Sequence, residues 1–189
     1  MVALRCKIVV AGDATVGKTA LVQMFQSKGT VFPKNYKLTA GVELMVAPVA
    51  IPDTETSVEL FLLDTGGQEI FRDAISSYWN SVGMVMLVYD ATSKESFDNC
   101  AMWLDMLKKH RIHKDRPIQG VLVANKCDLR ERMCIAPETA EEWSQQNGLQ
   151  FFEVSSMPPG RDVDAPFNYI AAKWYRAYED KVEALASVV

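Results

Sequence analysis

Apolar residues gather in six strand-sized runs, at residues 4–11, 42–50, 58–63, 84–89, 119–124 and 150–154. Between them, apolar positions recur at helical spacing over 17–27, 69–79, 94–110, 137–147 and 164–182. The segment 94–110 illustrates the pattern, with Phe97, Ala101, Leu104 and Leu107 at three- and four-residue intervals. Pro137 suits the first turn of the fourth helix, where the missing amide hydrogen would have no partner anyway. Strands alternating with helices predict an α/β fold, with a six-stranded, mostly parallel sheet and helices on both faces. The second and third runs are joined only by the polar turn Pro52-Asp53-Thr54-Glu55-Thr56. It is too short for a crossover helix, so one strand should run antiparallel. No repeat, low-complexity tract or long linker divides the chain, and residues 1–189 are expected to form one domain.

Composition narrows the function classes. A net charge of −4 gives no electrostatic reason to expect nucleic acid as a partner. The apolar runs Gly83–Tyr89 and Val121–Ala124 fall far short of a membrane span, and no signal-peptide pattern opens the chain. Cys6, Cys100, Cys127 and Cys134 show no metal or redox spacing and read as reduced thiols in a reducing compartment. His110 and His113 have no Cys or third His near them, which favours a solvated helix end over a metal pair.

The chemistry begins directly after the first strand. Gly12-Asp13-Ala14-Thr15-Val16-Gly17-Lys18-Thr19 matches the phosphate-cradling pattern G-x-x-x-x-G-K-[ST] in full, and Ala20 continues into an amphipathic helix. Glycines allow close backbone approach, and loop amides with the helix N-terminus point at phosphate oxygens. Lys18 can reach β- and γ-phosphates, and the Thr19 hydroxyl can sit on Mg²⁺. After the third strand, Asp64-Thr65-Gly66-Gly67-Gln68-Glu69 places an acid where it can hold Mg²⁺ through water and offers the Gly67 amide to a γ-phosphate. After the fifth strand comes Asn125-Lys126-Cys127-Asp128. The Asp128 carboxylate can accept hydrogen bonds from N1–H and the exocyclic amine of guanine, a donor pair adenine lacks. Asn125 can tie this loop to the phosphate loop, and the Lys126 stem can lie over the ring. Together these elements select GTP or GDP with Mg²⁺.

At these motifs the chain resembles the small GTPases of the Ras superfamily, and within them the Rab branch, from about Lys7 to about Trp174. Thr39-Ala40-Gly41-Val42-Glu43 is similar to the switch I motif and Asp64–Glu69 to switch II. Phe71-Arg72, Ser76-Ser77-Tyr78, Val88-Tyr89-Asp90-Ala91-Thr92 and Ser96-Phe97 continue the likeness. The resemblance implies that Thr39 completes the Mg²⁺ shell beside Thr19 and Asp64, that Phe32 stacks on the base, and that Tyr36 closes over the phosphates. It implies that Gln68 orients the attacking water, with Lys18 and Thr39 supporting the reaction. Glu153-Val154-Ser155-Ser156 takes the place of the second guanine loop, where the Ser156 amide would face guanine O6 and Met157 would pack on the base.

Several positions depart from the pattern. Ala14 stands where Ras proteins have Gly, near the γ-phosphate and Gln68, and suggests slow hydrolysis. Gly66 replaces the usual Ala and should loosen switch II. Met157 replaces Lys and brings no charge. Ile70, Leu44 and Leu63 leave Tyr78 as the main remnant of the Rab effector-binding aromatic cluster. No cysteine follows Cys134 and Val2 replaces Gly, so no direct lipid anchor is expected. In these respects the chain resembles the unprenylated Rab-like branch of the intraflagellar transport B complex. That likeness implies a place in the cytoplasm, in the cilium or flagellum and at its base, and a soluble complex with a small β-sandwich partner. Tyr169 and Tyr175 lie off the core stripe Phe167, Ile170, Ala171, Trp174 and Tyr178 and are expected on the partner surface. Two functions remain open: a GTP-dependent switch with slow hydrolysis, and a constitutive subunit that binds GTP for stability.

Overall fold

The computed structural model describes residues 2–33, 35, 37–80, 82–110 and 117–187. Six strands form one sheet: β1 (Val2–Ala11), β2 (Val42–Ala50), β3 (Thr56–Thr65), β4 (Met84–Asp90), β5 (Gly120–Asn125) and β6 (Leu149–Glu153). Their order is β2-β3-β1-β4-β5-β6. Every pairing is parallel except β2 with β3, where Val42 faces Thr65 and Ala50 faces Ser57. The expected six-stranded sheet with one antiparallel strand is the one observed.

Both faces of the sheet are covered, which is why the central strands read as unbroken apolar runs. Ile8 and Val10 of β1 pack with Leu21 and Val22 of α1 (Lys18–Gln26) and with Phe167 and Ile170 of α6 (Ala165–Ala186). Phe25 stacks on Phe167 at 3.8 Å and joins these two helices. Val9 and Ala11 face the opposite cluster. It draws on α2 (Arg72–Ser76), α3 (Lys94–Asp98), α4 (Cys100–His110) and α5 (Pro137–Gln146). There Trp79 meets Trp103 edge-on at 6.5 Å and His110 at 6.3 Å. His110 is thus half-buried against an aromatic ring rather than a solvated helix end; His113 lies outside the described residues.

Three helical expectations change. The segment 69–79 is not one helix but α2 flanked by 3-10 turns at Glu69–Phe71 and Ser77–Trp79. The Ser76 and Ser77 hydroxyls donate to the Asp73 and Ala74 carbonyls at 2.7 and 2.8 Å, competing with the backbone ladder. The segment 94–110 divides at Asn99 into α3 and α4. The last helix runs on to Ala186, through the helix-favouring Glu183-Ala184-Leu185-Ala186.

Along α6, Tyr169 and Tyr175 are partly buried against the core, and Tyr169 lies edge-on to Phe152 at 5.6 Å. Tyr178 is the exposed one, at 41%. From Tyr178 to Ser187 every residue is exposed, so the core spacing continues where nothing lies beneath it.

The parallel strands end on one edge of the sheet. The connection from β1 leads through α1 to β2 on one side of it, whereas the connection from β3 crosses to β4 on the other, and a crevice opens there at the strand C-termini.

Candidate nucleotide-binding site

The loop after β1 is shaped by what crowds it. Gly17 adopts φ 95°, and a Cβ there would strike the Asn125 carboxamide nitrogen. Lys18 opens α1 and is only 6% exposed. Its Nζ donates to the carbonyls of Gly12 at 2.8 Å and Asp13 at 2.7 Å. Burial pulls its pKa down to about 8, against the opposing pull of Asp64 and Asp13. The chain thus curls around a cation whose charge, among the described residues, only backbone oxygens offset at hydrogen-bond distance, an arrangement suited to receiving an anion.

Asp64, at the end of β3, is completely buried. Its Oδ2 accepts the Thr19 hydroxyl at 2.5 Å, and Thr39 Oγ1 lies 3.1 Å from the same hydroxyl. Its Oδ1 is buried without a hydrogen-bond partner among the described residues. Burial pushes the Asp64 carboxyl up to about 6, although the Thr19 hydrogen bond and the Lys18 charge oppose this. Four oxygens from three segments, one of them orphaned, fit a hard cation that takes oxygen ligands.

Residues 39–41 lie along the end of β3. The Gly66 amide donates to the Gly41 carbonyl at 2.7 Å. A Cβ on Gly66 would stand 2.5 Å from the Thr39 carbonyl oxygen. Gly66 therefore seats the Thr39 segment by close approach, where backbone loosening was the expectation.

Asn125 joins the two loops. Its Nδ2 donates to Val16 O at 3.0 Å and Gly17 O at 3.4 Å. Its Oδ1 accepts the Lys126 amide at 2.9 Å and the Ser156 amide and hydroxyl at 3.2 and 3.0 Å. The Ser156 amide, expected to face a base, is here turned to Asn125. Ser155 Oγ donates to Asp128 Oδ1 at 2.6 Å and leaves the other carboxylate oxygen available to a ligand. Lys126 stands at φ 65° with Nζ 2.6 Å from Asp90 Oδ2. Burial alone would raise the Asp90 carboxyl, but hydrogen bonds from Lys126 and Thr92 outweigh it and hold the group below the usual carboxylate range.

These groups surround a cavity of about 450 Å³. Ala14, Thr15, Gly17, Lys18, Thr19 and Ala20 line one end, Asn125, Lys126, Asp128, Ser156 and Met157 the other, and Phe32, Thr39 and Gly67 the sides. Gly12, Asp13, Val16, Asp64 and Ser155 stand behind that lining. Gln68 is exposed and outside it; Tyr36 lies outside the described residues. A larger cleft of about 820 Å³ between α1, β2 and the start of α6 contains none of these motifs.

Sequence reasoning assigned no role to Asp90, which holds Lys126. The findable signal was an acid ending the strand beside β5, level with Asn125. Glu43 and Thr65 also line the cavity and were not singled out for it.

A phosphate-type loop at the switch point of this sheet, tied by Asn125 to a second polar loop, defines a Ras-type nucleotide-binding protein. Residues 7–176 match the Ras family, and the chain belongs to it. Guanine-nucleotide binding follows from that membership. Within the family the chain groups with the intraflagellar transport protein 27 proteins. It is 54% identical over 182 residues to Intraflagellar transport protein 27 of Chlamydomonas reinhardtii, spanning 96% of this chain and 89% of that one. It is 42% identical over 189 residues to the Intraflagellar transport protein 27 homolog of Bos taurus, across the full length of both. Ras-related protein RABA4d of Arabidopsis thaliana is 35% identical over 175 residues, 93% of this chain and 75% of its own. No helix among the described residues is long and apolar enough to cross a membrane.

Proposed function

We propose that the chain is a single G domain that binds GTP and GDP with Mg²⁺, hydrolyses GTP slowly, and serves as a subunit of the intraflagellar transport B complex in the cilium or flagellum. The carrying observation is the Thr19–Asp64–Thr39 oxygen cluster with its orphaned Asp64 Oδ1, standing beside the buried Lys18. Thr19, Thr39 and, through water, Asp64 would hold the metal. Bound Mg²⁺ neutralises charge on phosphate oxygens. Lys18 turns from the Gly12 and Asp13 carbonyls to the β- and γ-phosphates, guided by loop amides from Asp13 to Ala20. Asp128 accepts from the guanine edge, and Phe32, Lys126 and Met157 enclose the ring. Gly67 offers its amide to the γ-phosphate.

Gln68 orients the attacking water once switch II brings it inward. The methyl group of Ala14, lining the cavity beside Thr15, supports a slow rate. The assembly reading comes from the relatives' names, and the partner proposed is a small β-sandwich subunit.

The exposure of Gln68 favours a second reading, a subunit that binds GTP for assembly without switching. Partner affinity measured with GDP and with a non-hydrolysable GTP analogue separates the two. A switch needs different affinities in the two states; equal affinities leave the constitutive subunit.

A further inference from the structure

Asp13 is the only acidic residue within Gly12–Thr19, and a negative charge is out of place in a loop that receives phosphates. Its side chain is turned to the α3–α4 junction, and each oxygen accepts one hydrogen bond there. Oδ2 accepts Asn99 Nδ2 at 2.7 Å and Oδ1 accepts Trp103 Nε1 at 2.8 Å. Trp103 is completely buried on α4, and Asn99 stands at the α3–α4 junction. The Asp13 backbone is fixed as well. Its carbonyl accepts Lys18 Nζ, and a Cβ on Gly67 would collide with the Asp13–Ala14 peptide. One peptide is thus held from α4 on one side and underlies the Gly67 segment on the other.

We propose that Asn99 and Trp103 are positioning residues for nucleotide phosphate. They hold the Asp13 carboxylate away from the ligand and fix the peptide that underlies Gly67 and that Lys18 leaves as it reaches the phosphates. The inference rests on reading this loop as a nucleotide-phosphate site. Released from the clamp, Asp13 is free to rotate and can turn its charge toward the β-phosphate. Loss of the clamp therefore weakens phosphate binding while the base contacts at Asn125 and Asp128 stay intact.

The test uses the full chain loaded with fluorescent GDP. Asn99→Ala removes one donor, and Trp103→Phe keeps a packed ring while removing the other. GDP release is followed directly, and affinity for GMP, which lacks the β-phosphate, is measured by competition. Each variant should release GDP about tenfold faster, as befits one hydrogen bond to a charged group, with GMP affinity held within about twofold. In an Asp13→Ala background, Asn99→Ala should have no further effect. Unchanged GDP release in both variants overturns the proposal, as does an equal loss for GMP and GDP, the mark of a merely structural role. A parent protein that binds neither GDP nor GTP removes the nucleotide reading itself, a failure distinct from that of the clamp.

Discussion

Thr19 donates its hydroxyl to Asp64 Oδ2 at 2.5 Å, while Asp64 Oδ1 is buried with no hydrogen-bond partner among the described residues. The bond joins the first turn of α1 to the end of β3 and leaves half a carboxylate unsatisfied. Burial raises this carboxyl from 3.8 to about 6, so the folded chain holds the proton more tightly than the unfolded chain does. Stability of the nucleotide-free protein therefore falls as pH rises from about 3.8 to about 6 and stays lower above it. Asp64→Asn removes that loss. Urea unfolding of the chelator-treated protein should show the variant gaining on the parent across this window, by on the order of 2 kcal/mol at pH 7. With Mg²⁺ and GDP present the order should reverse. A gap that does not change with pH would contradict the assignment.

Gly66→Ala should disturb the Thr39 segment. The added methyl meets the Thr39 carbonyl oxygen, and the neighbouring Gly66 amide bond to Gly41 must lengthen. Overpacking of this kind destabilises by roughly 1–3 kcal/mol. Thermal unfolding should record that loss, and hydrogen exchange at the Gly66 amide should quicken. Unchanged stability and protection would mean that the close approach has no energetic weight.

Asp90→Asn should weaken the base-side loop. The carboxylate holds Lys126 at 2.6 Å and accepts the Thr92 amide and hydroxyl at 2.8 and 2.7 Å. Its folded pKa is depressed, so its contribution is present above the unfolded carboxyl value and is lost as pH falls through the folded one. Loss of this half-buried, charge-assisted contact should lower stability by on the order of 1–2 kcal/mol at pH 7. The gap between parent and variant should close in acid. A constant gap down to the acid limit would remove the ionic contribution.

Much of this was legible because the relevant signals are local. The six-stranded, mostly parallel sheet follows from alternating apolar runs and helical spacing, and the antiparallel strand from one short turn; the strand order itself comes from the structure. The phosphate loop, Asp64 and Asn125–Asp128 are contiguous motifs, each at the end of an apolar run. What was hidden is tertiary. The partners of Asp13 stand 86 and 90 residues away, at the α3–α4 junction and on α4, in a segment whose apolar stripe gives no hint of the bonds they make. The role of Gly66 depends on where the Thr39 segment lies, and local backbone freedom misread it. The region 69–79 fails as one helix because serine hydroxyls compete for its carbonyls. Tyr169 and Tyr178 exchange their expected roles because helical spacing does not reveal where the supporting core ends.

The central claim is that this cavity selects guanine nucleotides through Asp128, with Asn125 binding that selectivity to the phosphate loop. The direct measurement is equilibrium binding of GDP and ADP, with Mg²⁺, to the parent chain and to Asp128→Ala. The parent should prefer GDP by at least about a thousandfold, since adenine would leave a polar edge of the site unpaired. Asp128→Ala should lose most of that preference through weaker GDP binding, with ADP affinity nearly unchanged. Equal affinities for GDP and ADP in the parent, or a preference that survives Asp128→Ala, would contradict the account.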